Sequence, residues 1–146
     1  MRRFSLALTL LITPFFVGCS SDDCTDLGCG GLQFDLSVGA AAATPSTVRI
    51  CQVDTCSDVA LTEVSTGVWR GENSKFHVEW QEASAGVKLS GYTYGSLPDV
   101  ESELWGFEVT ADDGSQIFQQ KFNVTYEPVE LNGPGCGVCN GGVIET

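Results

Sequence analysis

The sequence predicts an all-β fold, a single antiparallel β-sandwich of about seven to eight strands held by disulfides. Three observations predict it. Apolar and polar residues alternate with a period of two through several stretches, which sends every second side chain to one face of a strand. Turn-forming residues separate these stretches at short intervals, the pattern of a two-sheet sandwich. Six cysteines follow residue 23, an even set of the kind that staples small exported domains. No segment sustains a helical period of 3.6 residues.

The chain opens on an address. Arg2 and Arg3 are followed by an apolar run over residues 4–17, broken by Ser5, Thr9, Thr13 and Pro14. That run is shorter than the roughly 20 residues a spanning helix needs, and it suits the apolar region of a signal peptide. It ends in Phe16-Val17-Gly18-Cys19, which resembles a bacterial lipobox with phenylalanine where leucine is usual. The resemblance implies cleavage after Gly18 and acylation of Cys19. Residues 1–18 then form a lipoprotein signal peptide, residues 19–31 an acidic and glycine-rich tether, and residues 32–146 the sandwich domain. An ordinary signal peptide cut elsewhere is the alternative. Two or more acyl chains would anchor the protein stably. Ser20 follows Cys19 in place of the aspartate that retains enteric lipoproteins at the inner membrane. This directs the protein to an outer membrane where the organism has one, with the domain exposed to the periplasm or the exterior.

Cysteine arithmetic agrees with that address. Seven cysteines are an odd number, and lipid on Cys19 leaves six for disulfides. Without its first eighteen residues the chain keeps five basic against nineteen acidic residues, a net charge of −14. Such a charge repels nucleic acid, which is excluded as a partner.

The strands follow in order. Leu32, Phe34, Leu36 and Val38 alternate with polar residues. Less regular strands are expected at 47–53 and 57–63. Phe76, Val78 and Trp80 form the next apolar face, and a strand at 87–94 follows. Leu97, Val100 and Leu104 have helical spacing, but Pro98 favours a loop or a single turn. Trp105, Phe107 and Val109 face one way in the next strand, and Asp112-Asp113-Gly114 reads as a hairpin turn into the following one. There Phe118, Gln120, Phe122, Val124 and Tyr126 share a face. Asn132-Gly133-Pro134-Gly135 breaks the chain before a last strand at 141–146.

Candidate sites come from the cysteines and the rings. Cys51 and Cys56 flank four residues between two strands, so a hairpin can set them opposite each other at the usual Cα separation of about 5.5–6 Å. Cys24 and Cys29 have the same spacing and either pair with each other or pin their segment to the far end of the chain. Cys136-Gly137-Val138-Cys139 has the spacing of a redox pair, but no helix follows to lower a thiol pKa, and a structural disulfide is favoured. An oxidising compartment also argues against thiolate zinc sites. His77 is the only histidine and lies on the polar face of its strand. No Gly-x-Ser-x-Gly elbow accompanies it, so nucleophile–base catalysis has no candidate set. A body of this size leaves little room for the cleft of a glycosidase. The aspartates lack calcium-loop spacing, and Asn123-Val124-Thr125 lies mid-strand as a chance glycosylation match. Trp80 and Trp105 belong to apolar faces. Trp69, Tyr92 and Tyr94 are less clearly inward, and Tyr92 and Tyr94 share a face with Lys88 and Ser90. These three rings are the candidate binding platform for a sugar or peptide, but core packing is the favoured reading of them.

Two stretches, Val48-Arg-Ile-Cys51-Gln-Val-Asp-Thr-Cys56 and Pro128-Val-Glu-Leu-Asn-Gly-Pro-Gly-Cys136-Gly-Val-Cys139, together resemble a family of small lipoproteins of high-GC bacteria. The resemblance implies an immunoglobulin-like sandwich on a lipid anchor and carries no activity with it. The expected function is therefore a non-catalytic, lipid-anchored interaction or structural module of the cell envelope, without a cofactor. Its partners are the membrane through Cys19 and another envelope protein or a glycan. The alternatives are a carbohydrate-binding module and a thiol–disulfide protein working through Cys136 and Cys139.

Overall fold

A computed structural model describes residues 31–40, 43–129 and 139–146. The signal peptide, most of the tether, Cys19, Cys24, Cys29, Cys136 and the turn at 132–135 lie outside the described residues.

The described residues form strands and no helix, in two sheets. In chain order the strands are β1 Leu32–Gly39, β2 Pro45–Gln52, β3 Thr55–Ala60, β4 Thr62–Ser65, β5 Val68–Glu72, β6 Phe76–Ala83, β7 Gly86–Thr93, β8 Ser102–Ala111, β9 Gln116–Thr125, β10 Glu127–Val129 and β11 Cys139–Glu145. One sheet runs β10-β11-β1-β7-β6-β5-β4 and the other β3-β2-β8-β9. The two-layer sandwich stands as expected, with eleven described strands in place of seven to eight. The extra ones are β4, β5 and β10, which carry weak alternation. The stretch 57–63 divides between β3 and β4. One pair departs from the antiparallel scheme, because β1 and β11 run parallel, with Leu32 opposite Gly142 and Asp35 opposite Glu145.

The predicted inward faces form the core. Leu32, Phe34, Leu36, Val78, Trp80 and Leu89 from the larger sheet meet Val48, Ile50, Trp105, Phe107 and Val109 from the smaller one, all nearly or fully buried. Ring pairs cross the gap between the layers. Phe34 sits 4.8 Å from Phe107 in a tilted pair, and Phe76 meets Trp105 edge-on at 6.5 Å. Each such pair adds about 0.5–1.5 kcal/mol beyond the area it removes from water. Three surface ion pairs, Arg49–Asp58, Arg70–Glu79 and Lys88–Asp35, lie across neighbouring strands. Their exposure limits each to under about 1 kcal/mol.

The turns follow their chemistry. Between β8 and β9, Asp113 accepts from the Ser115 N–H at 2.8 Å, and Gly114 takes φ +81°. A hydrogen bond from the Ser115 hydroxyl first, and then that backbone bond, hold the Asp113 carboxyl below its ordinary value. Between β2 and β3 the connection is two residues, Val53 and Asp54, and Val53 adopts φ +54°, rare for a β-branched side chain. The Val53 N–H is tied to the Leu104 carbonyl at 2.8 Å, and the Cys51–Cys56 disulfide closes the hairpin behind it. Closing so short a loop contributes about 2 kcal/mol in the chain-entropy model.

One polar chain enters the core. Trp105 Nε1 donates to the Tyr126 hydroxyl at 2.7 Å, and that hydroxyl donates to Glu103 Oε2 at 2.7 Å. Burial first, and then the bond to Glu103, push the Tyr126 phenol up to about 12 from its ordinary value near 10. The fold favours the neutral phenol, so this contribution is complete below pH ~10 and disappears as the pH climbs through ~12. Between those values the urea midpoint of the wild type is expected to fall more steeply than that of Tyr126→Phe. Parallel curves would show that Tyr126 does not titrate with unfolding.

Candidate functional site

The outer face of the larger sheet carries aromatic, acidic, basic and hydroxyl side chains together. Register places its side chains in rows across the strands. Val143, Gln33, Tyr92, His77 and Glu72 form one row, and Glu145, Asp35, Ser90, Glu79 and Arg70 form the next. A shallow, open depression of about 440 Å³ lies over the middle of these rows, lined among others by Asp35, His77, Glu79, Ser90 and Tyr92. The small side chain of Ser90 and the bare backbone of Gly91 form its floor.

The rings make one wall. His77 and Tyr92 are cross-strand partners, and their rings stack at 5.0 Å with 17° between planes. Tyr94 meets Tyr92 edge-on at 5.4 Å. Tyr92 and Tyr94 are 42% and 41% exposed, which leaves their apolar surface open to a ligand. The Tyr94 hydroxyl donates to Glu72 Oε1 at 2.6 Å, and that bond raises the phenol above its ordinary range. Carboxylates surround the rings. Lys88 engages Asp35 and Arg70 engages Glu79, so two of them are held in place rather than free to rotate. The result is a half-apolar, half-acceptor surface. It suits a ligand that offers hydroxyl donors and C–H faces, and it repels anions.

Trp69 does not join this surface. It faces inward from β5, opposite Trp80, and only 9% of it is exposed. Trp69 is therefore core, as the favoured reading has it, and not part of a binding platform, whereas Tyr92 and Tyr94 are exposed against that reading. His77 takes the vacant third position. The polar side of the alternation places it on this face, but its contact with Tyr92 depends on the register of β6 against β7, which spacing alone does not give.

The cysteines fall on the other layer and at its edges. Cys51 and Cys56 are bonded as expected, with Cα atoms 3.9 Å apart, closer than the 5.5–6 Å anticipated. They face each other directly across β2 and β3, at a site where the backbone bonds of Cys51 point toward β8, and such non-hydrogen-bonded pairs have the closer Cα approach. The disulfide borders a second depression of about 270 Å³, over Gly106 and beside Lys121. Cys139 is disulfide-bonded, with its partner outside the described residues. It opens β11 rather than a helix, so the dipole that would activate a thiol is not supplied there. Among the described residues no group of three or more histidine, cysteine or acidic side chains is arranged to hold a metal, and no helix is long and apolar enough to cross a membrane. The chain matches no family model, no curated protein and no solved structure.

Proposed function

We propose that this protein is a non-catalytic, lipid-anchored binding module of the bacterial cell envelope, presenting the outer face of its larger sheet to a partner. The observation that carries the binding reading is the exposed His77–Tyr92–Tyr94 cluster set among fixed carboxylates and hydroxyls. Two large rings left 42% and 41% exposed on an ordered strand face provide contact area with little side-chain entropy to lose. The anchoring part rests on the sequence around Cys19 and on the even set of six cysteines that remains.

A carbohydrate ligand is favoured by the pairing of rings with acceptors. A pyranose offers C–H groups to a tyrosine face and hydroxyl donors to Asp35, Glu79 and Gln33, whereas an acidic ligand meets like charge. The full-length protein, extracted from membranes in detergent, is expected to carry acyl chains on Cys19 by intact mass. It is also expected to bind neutral sugars on a glycan array, and Tyr92→Ala with Tyr94→Ala should weaken that binding tenfold or more. A Cys19 without acyl chains would overturn the anchor. An array without binding, or binding unchanged in the double variant, would overturn the sugar reading.

A further inference from the structure

We propose that the edge of β9, unpaired among the described residues, is a docking site for a second copy of this chain, joining two four-stranded sheets into one. This surface lies on the opposite layer from the aromatic face, so the inference stands or falls independently of the ligand reading.

The four sheet edges among the described residues differ in their protection. An unpaired strand edge exposes a row of N–H and C=O groups, and stable monomers blunt such edges with charge, proline, bulges or short length. Three of the four edges in the described structure are blunted. β4 is four residues long, carries Glu63 and is bulged between Glu63 and Ser65. β10 is three residues long and holds Glu127 and Pro128. β3 carries Asp58 beside the stapled hairpin. β9 differs. It runs ten residues, Gln116–Thr125, with Lys121 as its one charge and no proline, and its bulge falls at Ile117, next to the turn. Among the described residues, no strand pairs with its outer side.

Its backbone is oriented for pairing. The Leu104 carbonyl accepts from Val53, beyond β2, whereas the Glu101 carbonyl accepts from Tyr126, on the β9 side. Backbone groups alternate along a strand, so Leu104, Gly106 and Glu108 direct their N–H and C=O toward β2. Their partners on β9, which are Asn123, Lys121 and Gln119, therefore direct theirs to the open edge.

The strand is also self-complementary. An antiparallel, two-fold pairing centred on Gln120 sets Gln119 opposite Lys121 of the second copy, where the outward N–H and C=O groups exchange bonds in pairs. On the inner face it sets Phe118 opposite Phe122 of the second copy. Both phenylalanines are only partly buried and pack against the core from its open lip. No like charges meet along the strand, and the two Gln120 amides meet at the axis. A two-fold contact of this kind closes on itself and does not propagate into fibres. The net charge of −14 that the chain carries without its first eighteen residues opposes association, so the contact is favoured at ionic strengths that screen it.

The test uses the full-length protein in detergent at physiological salt or above, with mass read by sedimentation equilibrium over a hundredfold range of concentration. A reversible dimer is expected. Lys121→Pro removes an outward N–H without touching the ladder to β8, and should raise the dimer dissociation constant at least tenfold with thermal unfolding little changed. Gln120→Lys places two cations at the axis, leaves the backbone intact and should have the same effect if the proline variant fails to fold. A wild type that stays monomeric throughout, or a dimer whose affinity survives a folded variant, would overturn the proposal.

Discussion

Replacing Trp105 by alanine is expected to remove about 3–5 kcal/mol of stability, a large share of the roughly 5–15 kcal/mol that holds a domain of this size. Three contacts disappear together. The indole is 1% exposed and fills the space between the layers, so its loss leaves a cavity the two sheets cannot close. Its edge-on contact with Phe76 goes, and with it a link between the sheets. The Tyr126 hydroxyl also loses its donor. The urea midpoint should fall by about 2 M or more. A milder comparison isolates the polar part of the effect. Trp80 is fully buried, and among the described residues its Nε1 has no hydrogen-bond partner. Trp80→Phe removes a buried donor that makes no bond, whereas Trp105→Phe breaks one, so the second should be costlier by about 1–2 kcal/mol. Equal midpoints for the two phenylalanine variants would show that the Trp105–Tyr126 bond adds no net stability.

Gly91→Val is expected to cost about 3 kcal/mol or more and to disorder the aromatic face. Gly91 lies on β7 opposite Val78, directly under the depression. A Cβ there would run into the His77 carbonyl oxygen and approach Phe34 Cζ to 2.6 Å. Neither neighbour can yield freely, because the carbonyl belongs to the sheet backbone and Phe34 is braced against Phe107. Forced overpacking of this kind moves main chain. The main chain displaced is that of His77, whose ring is stacked on Tyr92. The variant should therefore lose near-ultraviolet circular dichroism from its tyrosines as well as stability. A midpoint equivalent to within 1 kcal/mol of wild type, with the tyrosine signal intact, would show that the strand accommodates the side chain.

The strong alternations were legible because each inward position holds a large apolar residue. β1, β6 and β8 place their predicted faces in the core for that reason. β5 was not legible, because its inward residues are Trp69 and Gly71, and a glycine cancels half of the pattern. The structure supplies the physical reason for it. A Cβ at Gly71 would collide with the Ala60 carbonyl and lie 2.7 Å from Val59 Cγ1, since β3 of the other layer crosses close by. With the strand hidden, the sequence leaves the side on which Trp69 lies open between core and surface. Pairing direction was equally out of reach, because alternation reads the same for parallel and antiparallel neighbours, and the β1–β11 pair depends on residues more than a hundred positions apart. The Tyr92–Tyr94 face was legible from parity alone. Its third ring depended on register, which is set by the hairpin between β6 and β7. The Cys51–Cys56 pair was readable because both its strands and its turn are local.

The parallel contact between β1 and β11 has a mechanical consequence. A load applied between Leu32 and Thr146 pulls these adjacent strands in opposite directions along their own axes. The ladder bonds from Leu32–Gly142 to Asp35–Glu145 are then strained together instead of opening one after another. The Thr146 N–H to the Asp35 carbonyl and the Ser37 hydroxyl to the Thr146 carbonyl extend that resistance to the last residue. A domain tethered at its amino end and held at its far end by a bound surface would meet tension in its most resistant direction.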